Sequence, residues 1–448
     1  MKVDGGLNPS KSAGLLIRKE TTVMGKIRTK EVRGEEAAAG ERVAGTSRRI
    51  QLGSVLVRAK QALREVMLSA GTDVLMAMLE ADRAALCGPK HGQSEDRENY
   101  RHGHDMGPLV LGGRKVVVRK PRVRSIDGEK EIELPTWRQF SDEDPLTERA
   151  LEQMLVGVTT RKYERSLEPL PEGLESQGTS RSSVSRRFVA RTSAQVEGFL
   201  GRSLKGEDYP VVMIDGTGFG DHLMLVAMGI DSKGAKHVLG VREGTTESEG
   251  VCRALLQDLI ERGLEVERAR LFVIDGGKGI RKAIREVFGA WALVQRCQEH
   301  KRRNVLDHLP KGKRARVSKA LRDAWKSESE AEARRLLRQL AKDLEPTHPG
   351  AAASLREGLD ETLTVLSLGV KGSLARTLVS TNPIENLQGL LKQVVRNVKR
   401  WRGGSMALRW AVTGLMEAEK RFRRVKGYRE MPQLLAALSS KIEERKAA

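Results

Sequence analysis

The chain has 448 residues, 39% of them hydrophobic and 31% charged, with 80 Lys and Arg against 59 Asp and Glu. The net charge of +21 points to a polyanionic partner, nucleic acid first and an anionic membrane surface second. A membrane span is excluded because no run of about 18 apolar residues is present, and three scattered cysteines exclude a disulfide framework. The first residues lack the apolar core of a signal peptide, so a soluble, cytoplasmic protein is expected.

Residues 1–50 carry 11 Lys and Arg, 6 Asp and Glu and seven glycines without a sustained apolar period. That composition suits a disordered basic arm, and an over-extended gene start fits it equally. From residue 51 the pattern is helical: Val55, Leu56, Ala59, Leu63, Val66 and Met67, then Val74, Leu75, Met78 and Leu79, recur at three-to-four spacing. His91, His102 and His104 follow Cys87, but their spacing matches no common zinc module, so Cys87–His104 reads as a polar loop. In LVLGGRKVVVRKPRVRS a Gly-Gly turn joins two β-rich runs, which predicts a hairpin. Its basic residues, Arg114, Lys115, Arg119, Lys120, Arg122 and Arg124, serve equally well to guard a sheet edge or to meet phosphates.

Between residues 141 and 205 the pattern is helical again, with Leu146, Ala150, Leu151, Met154 and Leu155 on one amphipathic helix. A second helix begins in GTSRSSVSRRFVART, capped by Thr179 or Ser180. Arg181, Ser182, Ser183, Ser185, Arg186 and Arg187 crowd its first turns, opposite Val184, Phe188 and Val189. Short polar and Arg side chains at a helix N-terminus suit a recognition helix in a helix-turn-helix-like DNA-binding domain.

Next comes YPVVMIDGTGFG, a short β-branched run that ends on Asp215 and turns at Gly216 and Gly218. The design recurs in ARLFVIDGGKG, where Leu271–Ile274 run into Asp275. A carboxylate at the tip of a buried strand is costly unless a cation sits on it, so the two suggest a shared cation site. Between them lie two more strands, HLMLVAMGIDSKG and AKHVLGVREG, and a helix, SEGVCRALLQDLIERG. A helix, GIRKAIREVFG, and a fifth strand, WALVQRCQEH, follow. This order predicts an α/β domain on a mixed five-stranded sheet.

Two aspartates leave two magnesium ions short of oxygen ligands. The third acid expected is Glu385, in VSTNPIENLQGLLKQVVRNVKRW, with Asn382 as N-cap and Pro383 at the first helical position. A capping-box acid would also stand there. Helical phase favours the ligand, because Lys392, Arg396 and Lys399 fall within roughly 40° of Glu385 while Leu387, Leu390, Leu391, Val394 and Val398 group opposite. The segment between Asp275 and Glu385 reads as a helical insertion at 311–374. Residues Leu391–Lys426 hold 11 Lys and Arg against 2 Asp and Glu, with Trp401 and Trp410 among them, a pattern suited to backbone tracking. Core packing is the reading for Trp410; for Trp325 in the insertion a core role is favoured over stacking on an unpaired base near the cut.

From about Tyr100 to Tyr428 the chain resembles the Mutator-type transposases of bacterial insertion sequences, a group of ribonuclease H-like DDE transposases. The resemblance rests on YRHGHDMGPLVLGGRKVVVRKPRVRS, SRSSVSRRF, VVMIDGTGFG, LFVIDGGKGI, VQRCQEHKRRNVL and LVSTNPIENLQGLLKQ, in that order. It implies that Asp215, Asp275 and Glu385 are a catalytic triad holding two Mg2+ ions, with Mn2+ as a substitute. It also implies a Cys-x-x-His motif at Cys297 and His300. Read from the residues alone, that pair has no evident partner pair and is taken as shaping or DNA-contacting; Lys301, Arg302 and Arg303 after it favour a phosphate-facing position. After Asp215 the run Gly218–His222 lacks the basic residue that family members often carry there.

The resulting division is a basic arm (1–50), a helical segment with a basic hairpin (51–140), a DNA-binding domain (141–205), and a ribonuclease H-like catalytic domain in two parts (206–310 and 375–430). The helical insertion (311–374) separates those parts, and a C-terminal helix or tail (431–448) ends the chain. The implied partner is double-stranded DNA, both transposon ends and target, handled by a homodimer or higher oligomer near the bacterial nucleoid. A domesticated DNA-binding regulator and another ribonuclease H-like nuclease are the alternatives.

Overall fold

The computed structural model describes residues 52–92, 97–142, 145–168, 170 and 174–447, so the basic arm at 1–50 lies outside the described residues. Val57–Ala448 form one unit. Helix α1 (Leu52–Cys87) leads into a long hairpin of β1 (Asn99–Leu111) and β2 (Arg114–Ser125), which turns at Gly112 and Gly113, both at positive φ. Residues 99–104, expected in a polar loop, belong to β1: Asn99 pairs with Ser125 and Tyr100 with Arg124. The hairpin shares a small sheet with β3 (Glu131–Ile132) and β4 (Ser176–Gln177). Its core gathers Leu75 and Leu79 of α1, Leu109, Val116, Val118, Val123 and Trp137. Val66, Met67, Val74 and Met78, read as part of the same apolar stripe, face outward instead.

Helices α2 (Pro135–Asp142) and α3 (Pro145–Leu155) follow, then α4 (Arg181–Leu200), started by the Ser180 hydroxyl, which accepts from Ser183 N–H. Residues 156–180, which include β4, separate α3 from α4, far more than the three- or four-residue turn of a helix-turn-helix. Along α4, Val184, Phe188, Thr192 and Phe199 are buried. The Phe188 ring lies 4.6 Å from that of Trp410.

The main sheet comprises β5 (Val211–Phe219), β6 (His222–Ile230), β7 (Lys236–Gly244), β8 (Arg270–Ile274) and β9 (Ala292–Arg296), ordered β7-β6-β5-β8-β9. β5, β6 and β7 run antiparallel, whereas β5, β8 and β9 run parallel. The parallel strands need crossovers. These are α5 (Glu249–Glu261) and α6 (Lys278–Phe288), packed on the face bearing Val212, Ile214, Phe272 and Ile274. The mixed five-stranded sheet with its many helices is therefore an α/β architecture, as the element order predicts.

Helices α7 (Gln298–Asp307), α8 (Lys311–Trp325), α9 (Glu330–Leu344), α10 (Pro349–Arg356) and α11 (Thr364–Ser367) surround a separate core built on Val305, Leu321, Leu337, Ala351 and Leu363. Trp325 packs against it and donates from Nε1 to Thr362 Oγ1 at 3.1 Å. The chain then covers the second face of the main sheet with α12 (Gly372–Leu378), α13 (Asn382–Val395), α14 (Gly404–Glu419) and α15 (Met431–Ala447). That core joins Val211, Met213, Leu271 and Val273 of the sheet to Leu387, Trp410 and Leu438, and to Phe188 of α4. Among the described residues no helix is long and apolar enough to cross a membrane.

Candidate active site

β5 and β8 are parallel neighbours in register, with Ile214 opposite Ile274, so the next residues, Asp215 and Asp275, emerge side by side where that pairing stops. Neighbouring strands lie about 4.8 Å apart. Asp275 follows the end of β8, whereas β5 does not end on Asp215 or turn at Gly216 and Gly218 as the sequence suggests: pairing with β6 carries it on to Phe219. Each aspartate is steadied by a backbone amide just after it. Gly216 N–H donates to Asp215 Oδ1 at 3.0 Å, and Gly277 N–H donates to Asp275 Oδ1 at 2.9 Å. A third acid joins them from the other face of the sheet. Glu247, just ahead of α5, lies so close to Gly216 that any side chain there would collide with its carboxylate, and a Cβ on Gly277 would sit 3.7 Å from its Oε2. Sequence reading passed over Glu247 because it stands in a short polar connection, TTESEG, with no strand pattern to mark it.

The electrostatics of this trio are unfavourable. Burial, then the Asp275 and Glu247 carboxylates, push the Asp215 carboxyl up to about 7, against the opposing pull of His300 and of Gly216 N–H. Burial followed by Asp275 also raises Glu247. Among the described residues no Lys or Arg forms an ion pair with any of the three. Elsewhere the same fold pairs its acids freely, as Glu249 with Lys282 at 2.7 Å. An oxygen-rich, cation-poor cluster is the donor set of a hard divalent ion.

Glu385 approaches on α13. The cap of that helix is Thr381, not Asn382, which places Asn382 and Pro383 inside the first turn. Thr381 donates from Oγ1 to Glu385 Oε1 at 2.7 Å, so the carboxylate is held by a hydroxyl and is not the acid of a capping box. One turn on, Gln388 Nε2 donates to Asp215 Oδ2 at 3.0 Å and to Gly216 O at 3.2 Å, fastening the helix to the middle of β5. α13 ends at Val395, so Lys399 and Val398 lie beyond the helix whose phase they were assigned to; Lys392, Arg396 and Lys399 are all exposed.

Cys297 and His300 stand beside Glu385, and donor atoms of the three lie within 4.8 Å of one another. His300 Nδ1 is 3.8 Å from Glu385 Oε1 and 3.3 Å from Thr381 Oγ1. Cys297 Sγ, fully buried, accepts from Thr381 N–H and Oγ1 at 3.4 Å each. Burial would raise the Cys297 thiol, but hydrogen bonds from His300 and Thr381 outweigh it and hold it below its ordinary value. The bond to Cys297 in turn raises His300, against its partial burial. The motif that lacked a partner in the sequence thus has Thr381 and Glu385, from 84 and 88 residues away in the chain.

The basic residues after His300 disperse, because successive helical positions point about 100° apart. Lys301 is fully buried and donates from Nζ to Ser354 O at 2.6 Å and to Glu357 O, so it ties α7 to α10 and faces no phosphate. Arg302 pairs with Glu299 at 2.7 Å, and Arg303 is exposed. On α4, Arg181, Ser182, Ser185 and Arg186 are exposed, Ser183 is half-buried, and half-buried Arg187 donates to Gly178 O at 2.7 Å. In the hairpin, Arg114 is buried and donates to Glu168 O instead of lining an exposed edge.

Fold and site define an α/β protein with an acidic cluster where the parallel pairing of two adjacent strands ends. Comparison with known proteins carries the identification further: residues 46–425 match the family described as "Transposase, Mutator family", and the chain belongs to that family. It is 28% identical over 335 residues to a transposase for insertion sequence element IS256 in transposon Tn4001 from Staphylococcus aureus, covering 70% of this chain and 80% of that one. Similarity to the transposase for insertion sequence element ISRM5 of Rhizobium meliloti is 28% over 390 residues, 85% of this chain and 93% of the other. A transposase for insertion sequence element IS6120 from Mycolicibacterium smegmatis is 30% identical over 215 residues, 47% of this chain and 65% of its own.

Proposed function

We propose that the protein is a DDE transposase with a ribonuclease H-like catalytic domain that binds the terminal inverted repeats of its insertion sequence, cleaves DNA and transfers the strand. One observation carries this reading: in a chain of the Mutator family, Asp215 and Asp275 sit together without a basic partner, under the helix that carries Glu385. Asp215, Asp275 and Glu385 would hold two Mg2+ ions, or Mn2+ in their place, with Glu247 beside the first two. Such ions activate an attacking oxygen and stabilise a leaving one. The carboxylates serve as holders, not nucleophiles. Gln388 and the two glycine amides keep Asp215 and Asp275 oriented, and Thr381 does the same for Glu385.

The chemistry has two displacements. Water attacks the phosphodiester at the transposon end, and the broken P–O bond leaves a free 3′-hydroxyl. That hydroxyl then attacks a target phosphodiester, forming one P–O bond as another breaks, so no external energy source is needed. The DNA-binding role falls to the exposed Arg181, Ser182, Ser185 and Arg186 of α4, to Arg303, and to Lys392, Arg396 and Lys399 after the glutamate. Joining two ends to a target calls for a homodimer or higher oligomer, acting at the nucleoid. A regulator that only grasps DNA has no use for a buried, mutually repelling acid cluster, so the catalytic reading is favoured over a domesticated one. Incubation with duplexes bearing the inverted repeats that flank its gene, in Mg2+, tests it. Asp215→Asn, Asp275→Asn and Glu385→Gln are expected to lower cleavage by at least about 10³-fold with DNA binding retained. Cleavage at the wild-type rate by Asp215→Asn protein would overturn the assignment.

A further inference from the structure

A groove of about 610 Å³ runs between α12, the first turn of α13 and the segment 421–427. Lys236, Arg376, Arg423, Arg424 and Lys426 line it, and no Asp or Glu does. None of these five cations forms an ion pair among the described residues, whereas Arg191, Arg202, Arg285, Arg334 and Arg421 each have an acid. The contrast with the groove along α3, α4 and α13 is direct: there Arg191 is paired with Glu148, and Arg421 with Glu417 at 3.2 Å. A second observation is independent of charge. Ser380 lines the basic groove with only 4% of its surface exposed, and its Oγ has no hydrogen-bond partner among the described residues. A buried hydroxyl without a partner is destabilising, a penalty that a bound oxygen ligand would remove.

The walls are firm. Thr377 Oγ1 donates to Lys426 O at 3.2 Å, Val425 N–H to Gly234 O at 2.9 Å, and Lys236 Nζ lies 4.7 Å from the centre of the Phe422 ring. Asn382 and Asn386 add amide groups from the N-terminal end of α13, where helix geometry favours an anion. Glu385 sits between them on the same turn.

We propose that this groove is a track for a DNA phosphodiester backbone, with Ser380, Asn382 and Asn386 receiving the phosphate nearest to Glu385 and the five cations neutralising those beyond. The proposal rests on the DNA-transposing reading above, and adds Lys236 and Arg376, which lie outside the motifs that carry the family resemblance, to the basic stretch that ends at Lys426.

The test is DNA binding by fluorescence anisotropy across a salt series, on the full chain. The variant Arg376→Ala/Arg423→Ala/Arg424→Ala changes only exposed side chains. A charge-matched control, Lys311→Ala/Lys313→Ala/Arg316→Ala, changes exposed residues of α8. Each lost phosphate contact lowers the slope of log K against log salt by about 0.9, so the groove variant should lose about 2 to 3 units and the control less than about one. Ser380→Ala should melt no lower than wild type yet bind more weakly, a pairing that a packing role would not produce. Weakened binding to inverted-repeat duplex alone would assign the groove to the transposon end; weakening on unrelated duplex as well would assign it to target DNA. Wild-type slopes in the groove variant, or an equal loss in the control, would overturn the proposal. If the groove variant binds like wild type while Asp215→Asn is inactive, the groove assignment alone falls; if Asp215→Asn cleaves normally, the catalytic reading falls.

Discussion

Glu247 is the residue whose role the acidic cluster leaves most exposed to test. Its carboxylate lies against Gly216, next to Asp215 and Asp275, and among the described residues no Lys or Arg pairs with the three acids, which leaves His300 as the positive influence on Asp215 and Glu247. Metal-free Glu247→Gln protein should therefore melt higher than the wild type, while the rise in melting temperature on adding Mg2+ should shrink. A purely structural glutamate would give the opposite first result. Asp215 has a matching pH signature. Its carboxyl is raised to about 7 in the folded chain, whereas an unfolded aspartate titrates near about 4. Between those values the folded state holds a proton that the unfolded state has released, so stability falls as pH rises through this window. Metal-free wild type should lose stability relative to Asp215→Asn between about pH 4 and pH 7, measured as the difference between their thermal melts, and the difference should level off above that range. Both aspartates were legible in the sequence, because a β-branched run leading into an acid and a glycine is a local pattern; that β5 runs on past Asp215 to Phe219 was not, since pairing with β6 decides it. Glu247 was not, since its significance comes from a neighbour 31 residues earlier and from Asp275 across the sheet.

The element that connects the residues proposed for DNA contact with the helices beside the acidic cluster is α4. Its exposed N-terminal side carries Arg181, Ser182, Ser185 and Arg186, while Phe188 is buried against Trp410 of α14, which packs in turn on α13. Removing the Phe188 ring leaves a cavity at this junction, and Phe188→Ala should cost about 3–5 kcal/mol, read from chemical denaturation. Val184 and Phe188 of α4 and a cap at Thr179 or Ser180 were readable from spacing, whereas Val189, read on the same apolar side, is exposed. The partner of α4 was not readable, because a helix's apolar stripe states that it will be covered without naming what covers it. The same limit explains α1, where Leu75 and Leu79 are covered while Val66, Met67, Val74 and Met78 are exposed. It also explains the start of β1, where the alternation is weak and pairing with β2 extends the strand back to Asn99.

At the scale of the whole unit, the second face of the main sheet is closed by helices distant from it in the chain. Met431, Leu434, Leu438 and Ile442 of α15 are all buried in that core. Four such side chains contribute about 1.5–3 kcal/mol each, a sum comparable to the about 5–15 kcal/mol that holds a typical domain together. Truncation after residue 430 should therefore give a protein that is largely unfolded or insoluble, as judged by circular dichroism and soluble yield. The helices between Cys297 and Leu368 behave differently, since α7 to α11 enclose a core of their own, anchored by Lys301 and by Gln295, whose Nε2 donates to Thr362 O at 3.1 Å.

What the sequence by itself determined is what short-range periodicity encodes: five strands and their order along the chain, the β-branched runs that lead into Asp215 and Asp275, and a helix opening near Glu385. Each follows from alternation, helical spacing or turn chemistry within about ten residues. Only the tertiary structure decided which side chains share a space. It brought Glu247 to the aspartates and Thr381 to Cys297 and Glu385, buried Lys301, and left the cations around Ser380 without acids. Those outcomes depend on packing between segments far apart in the chain, where burial and charge are properties of the assembled neighbours and of no one segment.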